Sequence, residues 1–128
     1  MSQQLRENVI TLLGSVVVDM QAVATTSILT VPLTPVPFTM VVTHIVVRSN
    51  TATLAGGSDY DFGDTSGGDF FKSTVDLSSM TSADGYWIIE NNNALLALFA
   101  AGVSFDIDVI TGSTGAANAT IEVFGYMF

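Results

Sequence analysis

The clearest alternation in the chain is Val103–Thr111 (VSFDIDVIT). Val103, Phe105, Ile107 and Val109 fall on one side, and Ser104, Asp106 and Asp108 on the other. Period-two alternation of this kind predicts a half-buried strand with its acids in water. Ala119–Phe128 (ATIEVFGYMF) repeats the pattern. Ala119, Ile121, Val123 and Met127 share one face, interrupted by Gly125, while Thr120, Glu122, Phe124, Tyr126 and Phe128 share the other. Phe38–Arg48 (FTMVVTHIVVR) predicts the longest strand. One face carries Phe38, Met40, Val42, His44, Val46 and Arg48, and the other Thr39, Val41, Thr43, Ile45 and Val47. Both are partly apolar, so both are candidates for cover. Shorter strands are predicted at Ser15–Val23, Ser27–Val31, Asp69–Leu77 and Gly85–Glu90, with another beginning at Thr51–Leu54. Asn93–Gly102 fits a short capped helix or a strand equally well. Pro32, Pro35 and Pro37 forbid regular pairing over VPLTPVP, which reads as an extended edge or crossover.

Short strands separated by turn signals, rich in Val, Thr, Ile and Phe, predict an all-β antiparallel sandwich or barrel. Residues 1–25 form an N-terminal arm and first strand in this reading, and residues 26–128 the β-sandwich domain. Leu5, Val9 and Leu13 recur at i, i+4 and i+8, which suits a short helix or an ordered arm. If the aliphatic side of the last strand packs inward, Phe124, Tyr126 and Phe128 form an exposed aromatic row, the mark of an interface. The alternative is a strand buried on both faces.

Composition sharpens the interface reading. Apolar residues make up 48% of the 128, yet charged residues only 12%, against about 25% in typical domains. Mean hydropathy is +0.52. The longest apolar run, Ala94–Val103, has ten residues, far short of the ~20 that span a bilayer, so no membrane is expected. Burial against other subunits accounts for the excess. Net charge is −9, and Arg6, Arg48 and Lys72 are the only cations besides His44. That leaves no basic patch for phosphate contacts and excludes nucleic acid as a partner. The chain has no cysteine, which removes disulfides, thiol chemistry and Cys-based zinc sites.

Candidate chemistry concentrates in Gly56–Phe71 (GGSDYDFGDTSGGDFF), with four aspartates and five glycines. Asp59, Asp61 and Asp64 are candidate calcium ligands. EF-hand spacing fails, because position five from Asp59 is Gly63 and position twelve is Phe70. The competing reading is a polar loop at one end of a sandwich, where Asp and Gly serve turns, and no cofactor is then expected. His44 is the sole histidine and lies mid-strand without a GxSxG serine elbow, so it reads as a packed or interface residue. Asp106 and Asp108 are a carboxylate pair at i, i+2, a pattern common on the wet side of a strand. Trp87 and Tyr60 are candidate glycan-stacking residues; the alternative places Trp87 as a core anchor. No enzyme is expected.

Four features carry a family resemblance. A long threonine-flanked strand follows prolines in VPLTPVPFTMVVTHIVVRS. An AAGVSFDI step enters a clean strand, a short Gly-rich loop follows, and the chain ends on the aromatic strand VFGYMF. Over roughly residues 28–128 the chain resembles small β-jelly-roll virion proteins of tailed bacteriophages. The resemblance implies a jelly-roll-like sandwich and a capsid decoration (cement) protein on the outer shell. It also implies a homo-oligomer, most often a trimer, that braces major capsid protein or other virion subunits, with an N-terminal arm reaching a neighbour. Related jelly rolls form fibre tips that bind glycans, so a carbohydrate-binding recognition module is the alternative. No catalytic residues carry over.

Overall fold

The computed structural model describes residues 10–64, 71–83, 85–91 and 97–128. These residues form nine strands: β1 (Thr11–Asp19), β2 (Thr25–Thr30), β3 (Met40–Arg48), β4 (Asp59–Asp64), β5 (Lys72–Val75), β6 (Tyr86–Glu90), β7 (Ala97–Phe99), β8 (Ser104–Thr111) and β9 (Asn118–Met127). They make two sheets. Sheet I has the order β1-β9-β3-β6, with β7 also paired to β3; sheet II has the order β2-β8-β4-β5. Every pairing is antiparallel.

The pairings nest from the ends of the chain inward. β1 meets β9, β2 meets β8, β3 meets β6 and β7, and β4 meets β5. Successive nested pairs fall alternately in sheets I and II. A long hairpin rolled up on itself has this order, which is that of a jelly roll. β7 lies along Met40–Val42 and β6 along His44–Arg48, so together they act as one interrupted strand beside β3. The all-β antiparallel sandwich expected from the sequence is the observed architecture.

Between the sheets lies one apolar cluster. Sheet I contributes Val18, Met40, Val42, Ile45, Val47, Ile89, Phe99, Ala119, Ile121 and Val123; sheet II contributes Ile28, Tyr60, Phe62, Val75, Phe105, Ile107 and Val109. Phe105 meets Phe99 and Phe71 edge-on, with ring centroids 5.1 and 5.9 Å apart, an arrangement aromatic quadrupoles favour. β8 and β9 keep the alternation read from their sequences, with Phe105, Ile107 and Val109 and Ala119, Ile121 and Val123 inward. Of the helix-or-strand segment 93–102, residues 97–99 are strand β7 and Phe99 is buried.

Three expectations change. The Gly/Asp stretch is not only a loop, because Asp59–Asp64 is strand β4, flanked by β8 and β5. Tyr60 and Phe62 point inward and alternate with Asp59 and Asp61, so a period-two signal was masked by turn-forming residues. The two faces of β3 are not the simple odd and even sets. Its register with β9 slips between Val42 and His44. An extra residue inverts the alternation, so Met40 and Val42 point inward before the slip and Ile45 and Val47 after it. Finally, β1 (Thr11–Asp19) starts earlier than Ser15 and pairs along β9, so Leu13 belongs to a sheet-edge strand. Leu5 and Val9 lie outside the described residues.

Candidate functional site

The two outer faces of the sandwich differ sharply in chemistry. On sheet I, strand register sets the outward residues in rows across the sheet. Leu12, Phe124, His44 and Glu90 make one row; Ser15, Glu122, Val46 and Ile88 the next; Val17, Thr120, Arg48 and Tyr86 a third. Tyr126, Val41 and Leu98 make a fourth. Phe128 follows β9 directly and exchanges backbone hydrogen bonds with Thr39 at 2.8 and 3.0 Å. Val17, Tyr86, Phe128, Leu98, Ile88 and Leu12 are 47–65% exposed. Phe124 and Tyr126 are half-buried among them. The aromatic row expected on the last strand therefore lies on the outer face. The pairing partners that widen it, from β1, β3, β6 and β7, could not be assigned without the register.

Polar groups on this face are tied down. The His44 ring lies flat on Phe124, with centroids 4.9 Å apart and planes 2° from parallel. Thr43 Oγ1 donates to the Phe124 carbonyl at 3.2 Å and lies 3.0 Å from His44 Nδ1. A hydroxyl that has spent its proton on the carbonyl accepts from the ring, which places the imidazole proton on Nδ1. His44 is thus stacked on the outer face, and among the described residues its ring contacts are Phe124 and Thr43. Arg48 Nε and Nη2 grip Glu122 Oε1 and Oε2 at 2.8 and 3.2 Å, a two-pronged pair that neutralises the middle of the face. Tyr126 and Phe128 ring centroids are 6.3 Å apart.

Sheet II presents carboxylates. Asp61 on β4 sits directly opposite Asp108 on β8, and Gly63 opposite Asp106. The Thr25 hydroxyl donates to Asp108. Ser104 Oγ donates to Asp106 Oδ1 at 2.6 Å and lies 2.7 Å from Ser27 Oγ. The Thr74 N–H donates to Asp61 Oδ1 at 2.7 Å, and Thr74 itself has φ +54°, a left-handed conformation uncommon for a β-branched residue. Asp106, expected on the wet side of its strand, is only 1% exposed. Asp106 Oδ2 and Asp59 Oδ1 are buried without a hydrogen-bond partner. Burial pushes the Asp61 carboxyl above its ordinary value, and the charges of Asp59 and Asp108 add to the rise. Burial likewise raises Asp106, aided by Asp108 and Asp64 and opposed by the Ser104 hydrogen bond.

The candidate calcium ligands Asp59, Asp61 and Asp64 all lie on β4. Among the described residues no three His, Cys, Asp or Glu side chains are placed to hold a metal ion. Tyr60, a candidate glycan platform, is wholly buried, and its hydroxyl donates to the Met20 carbonyl at 2.9 Å. Its long apolar ring fits the core and needs that acceptor; burial drives its pKa up to about 12. Trp87 packs partly against the core. Its exposed part lines a cleft of about 290 Å³ between the edge strands β5 and β6, with Lys72, Asp76 and Glu90 around it.

No protein-family model matches the chain. No curated protein sequence matches it either. Among solved structures, a chain of the "Cyanophage Pam1 capsid asymmetric unit" shares the fold, with a TM-score of 0.60. The alignment covers 94% of this chain and 86% of that one at 11% identity. At that identity the likeness is one of fold.

Proposed function

We propose that the protein is a non-enzymatic structural component of a phage virion. In this reading it is a capsid decoration protein that trimerises and braces major capsid protein subunits at the outer shell. The observation that carries the reading is the outer face of sheet I, where exposed apolar and aromatic side chains on and beside β1, β6, β7 and β9 surround a neutralised Arg48–Glu122 pair. A contiguous patch of this kind is costly to leave in water. The fold shared with a cyanophage capsid chain supports the setting. The size of the face supports a role within an assembly. Four strands about 4.8 Å apart, each about 30 Å long, give a footprint of roughly 600 Å². A standard interface buries roughly 800 Å² per partner. One such contact is weak, and several around a trimer on a lattice add through avidity.

The test is sedimentation of the wild type and of Phe124→Ser/Phe128→Ser, followed by co-sedimentation with undecorated capsid shells. The wild type is expected at three times the 13.5 kDa chain mass and bound to shells. The double variant is expected as a monomer that fails to bind, with its thermal midpoint within a few degrees of wild type. A double variant that still assembles and binds shells overturns the reading. So does a wild type that is monomeric and indifferent to shells.

The cleft at Trp87 favours a second reading, a carbohydrate-binding module. It brings Trp87 together with Lys72, Asp76 and Glu90, a mixture of aromatic and charged groups that suits a sugar ring with its hydroxyls. Trp87→Ala would then abolish glycan binding in an array or calorimetric titration and leave the sedimentation mass unchanged. Unaltered glycan binding by that variant removes the second reading.

A further inference from the structure

One titratable ring stands inside the apolar face of sheet I. His44 is the chain's only histidine. Its half-buried ring lies flat on Phe124, with centroids 4.9 Å apart. Nδ1 is 3.0 Å from Thr43 Oγ1, and that hydroxyl donates to the Phe124 carbonyl. This relay leaves the proton on Nδ1 and the lone pair on Nε2. Among the described residues the ring makes no other hydrogen bond and no ion pair. The charged groups around it are poorly placed to balance a second proton. Glu90 on β6 is directly opposite His44 in register, but it is exposed on an edge strand and not bonded to the ring. Arg48 on β3 and Glu122 on β9 are bound to each other. β1 places Leu12 in the same row, and β7 (Ala97–Phe99) carries nothing ionisable. The other titratable side chains described on this face are the phenols of Tyr86 and Tyr126.

Covering the face removes Nε2 from water. A neutral imidazole then forfeits one acceptor bond. An imidazolium forfeits the hydration of a full charge, with no carboxylate bonded to it, and that cost is much the larger. We infer that self-association through the sheet I face is gated by a proton at His44: the face closes on a second copy while the imidazole is neutral and releases it when Nε2 is protonated. The gate rests on the reading of this face as the contact between copies, and it assigns the regulation of that contact. The sign follows from linkage. The separated chain binds the extra proton better than the assembled one, so association weakens as pH falls through the range where histidine titrates. The chain as a whole has the opposite tendency. It carries a net charge of −9 at pH 7 and has a pI of about 4.1, so acid otherwise relieves repulsion between copies and promotes association.

The experiment is sedimentation equilibrium of the full chain at about pH 7.5 and about pH 5.5, on either side of the ordinary histidine range. Wild type is expected to associate about tenfold or more weakly at the lower pH. His44→Phe keeps a flat ring beside Phe124 and cannot titrate, so it is expected to associate equally well or better in acid. His44→Gln, uncharged and polar, serves as the second variant. Glu90→Gln is expected to keep the wild-type pH response. Thermal midpoints at both pH values confirm that each chain is folded. A wild type that assembles as well at pH 5.5 as at pH 7.5 overturns the gate and leaves the assembly reading intact. Loss of assembly in acid by wild type, His44→Phe and His44→Gln alike also overturns the gate, as does a pH response that disappears in Glu90→Gln, because the titrating group is then not the imidazole. A wild type that is monomeric at both pH values removes the assembly reading and the gate together.

Discussion

Gly125→Ala is expected to disrupt sheet I, at a cost of at least about 3–5 kcal/mol, within the range of severe core defects. A Cβ built on Gly125 would lie 1.8 Å from the Val41 carbonyl oxygen and 2.9 Å from its carbon. The obstacle is backbone, so no rotamer change relieves it. The position is also the most constrained on β9. Gly125 pairs with Val42 on one side and Thr11 on the other, and both neighbouring strands slip register within a residue or two of it. A methyl group there must part β3 from β9 along the centre of the sheet. Strand preference alone predicts the opposite sign, because glycine within a strand costs roughly 0.5–1 kcal/mol relative to alanine. Urea unfolding distinguishes the two. Gly115→Ala, where nothing lies within 4 Å of an added Cβ, serves as the neutral control. A Gly125→Ala midpoint at or above wild type would show that the close approach between β3 and β9 does not exist.

Gly125 also illustrates what was legible in the letters. β8 and β9 could be read because each has one face against the core and one outside it, which imposes strict alternation on the sequence. The aromatic row on β9 followed from that alternation. Its extent did not, since Leu12, Val17, Tyr86 and Ile88 join it only through register, and pairing partners leave no local mark. β4 was obscured because the acids that flank Tyr60, Asp59 and Asp61, are turn formers by composition, though in the fold they alternate with the inward residues of a strand. The β3 irregularity had no signal either. With valine on both faces and other apolar residues on each, an inverted alternation looks the same as a regular one. Asp106 misled for a related reason. Acid-apolar-acid spacing identifies the face on which a carboxylate sits, but not whether that face is open to water at that point.

Asp106→Asn is expected to stabilise the protein at pH 7–8 by roughly 1–2 kcal/mol, an inversion of the usual cost of a buried substitution. Burial first, and then the charges of Asp108 and Asp64, hold the Asp106 carboxyl above its ordinary value against the opposing Ser104 hydrogen bond. Asp61 is raised for the same leading reason. A raised carboxyl binds its proton more tightly folded than unfolded. Its stabilising contribution is therefore complete below the unfolded value of about 4 and is lost as pH rises through the folded value. Wild-type stability should thus increase as pH falls through the raised folded values of these carboxyls towards about 4. Asp76 runs the other way. Its carboxyl is held low by Ser78, so its contribution is present above about pH 4 and disappears below it, which limits the gain in stronger acid. Asparagine at 106 keeps an acceptor for Ser104 and removes the ionisable charge. Its amide nitrogen inherits the site without a partner, which holds the gain to the lower part of the range. The thermal midpoint followed from pH 4 to pH 8 should therefore be flatter in the variant, meeting wild type near pH 4 and exceeding it at pH 8. Two parallel curves across that range would mean that Asp106 is already compensated in the folded protein, and that the strain on the carboxylate face lies with Asp61 and Asp108 alone.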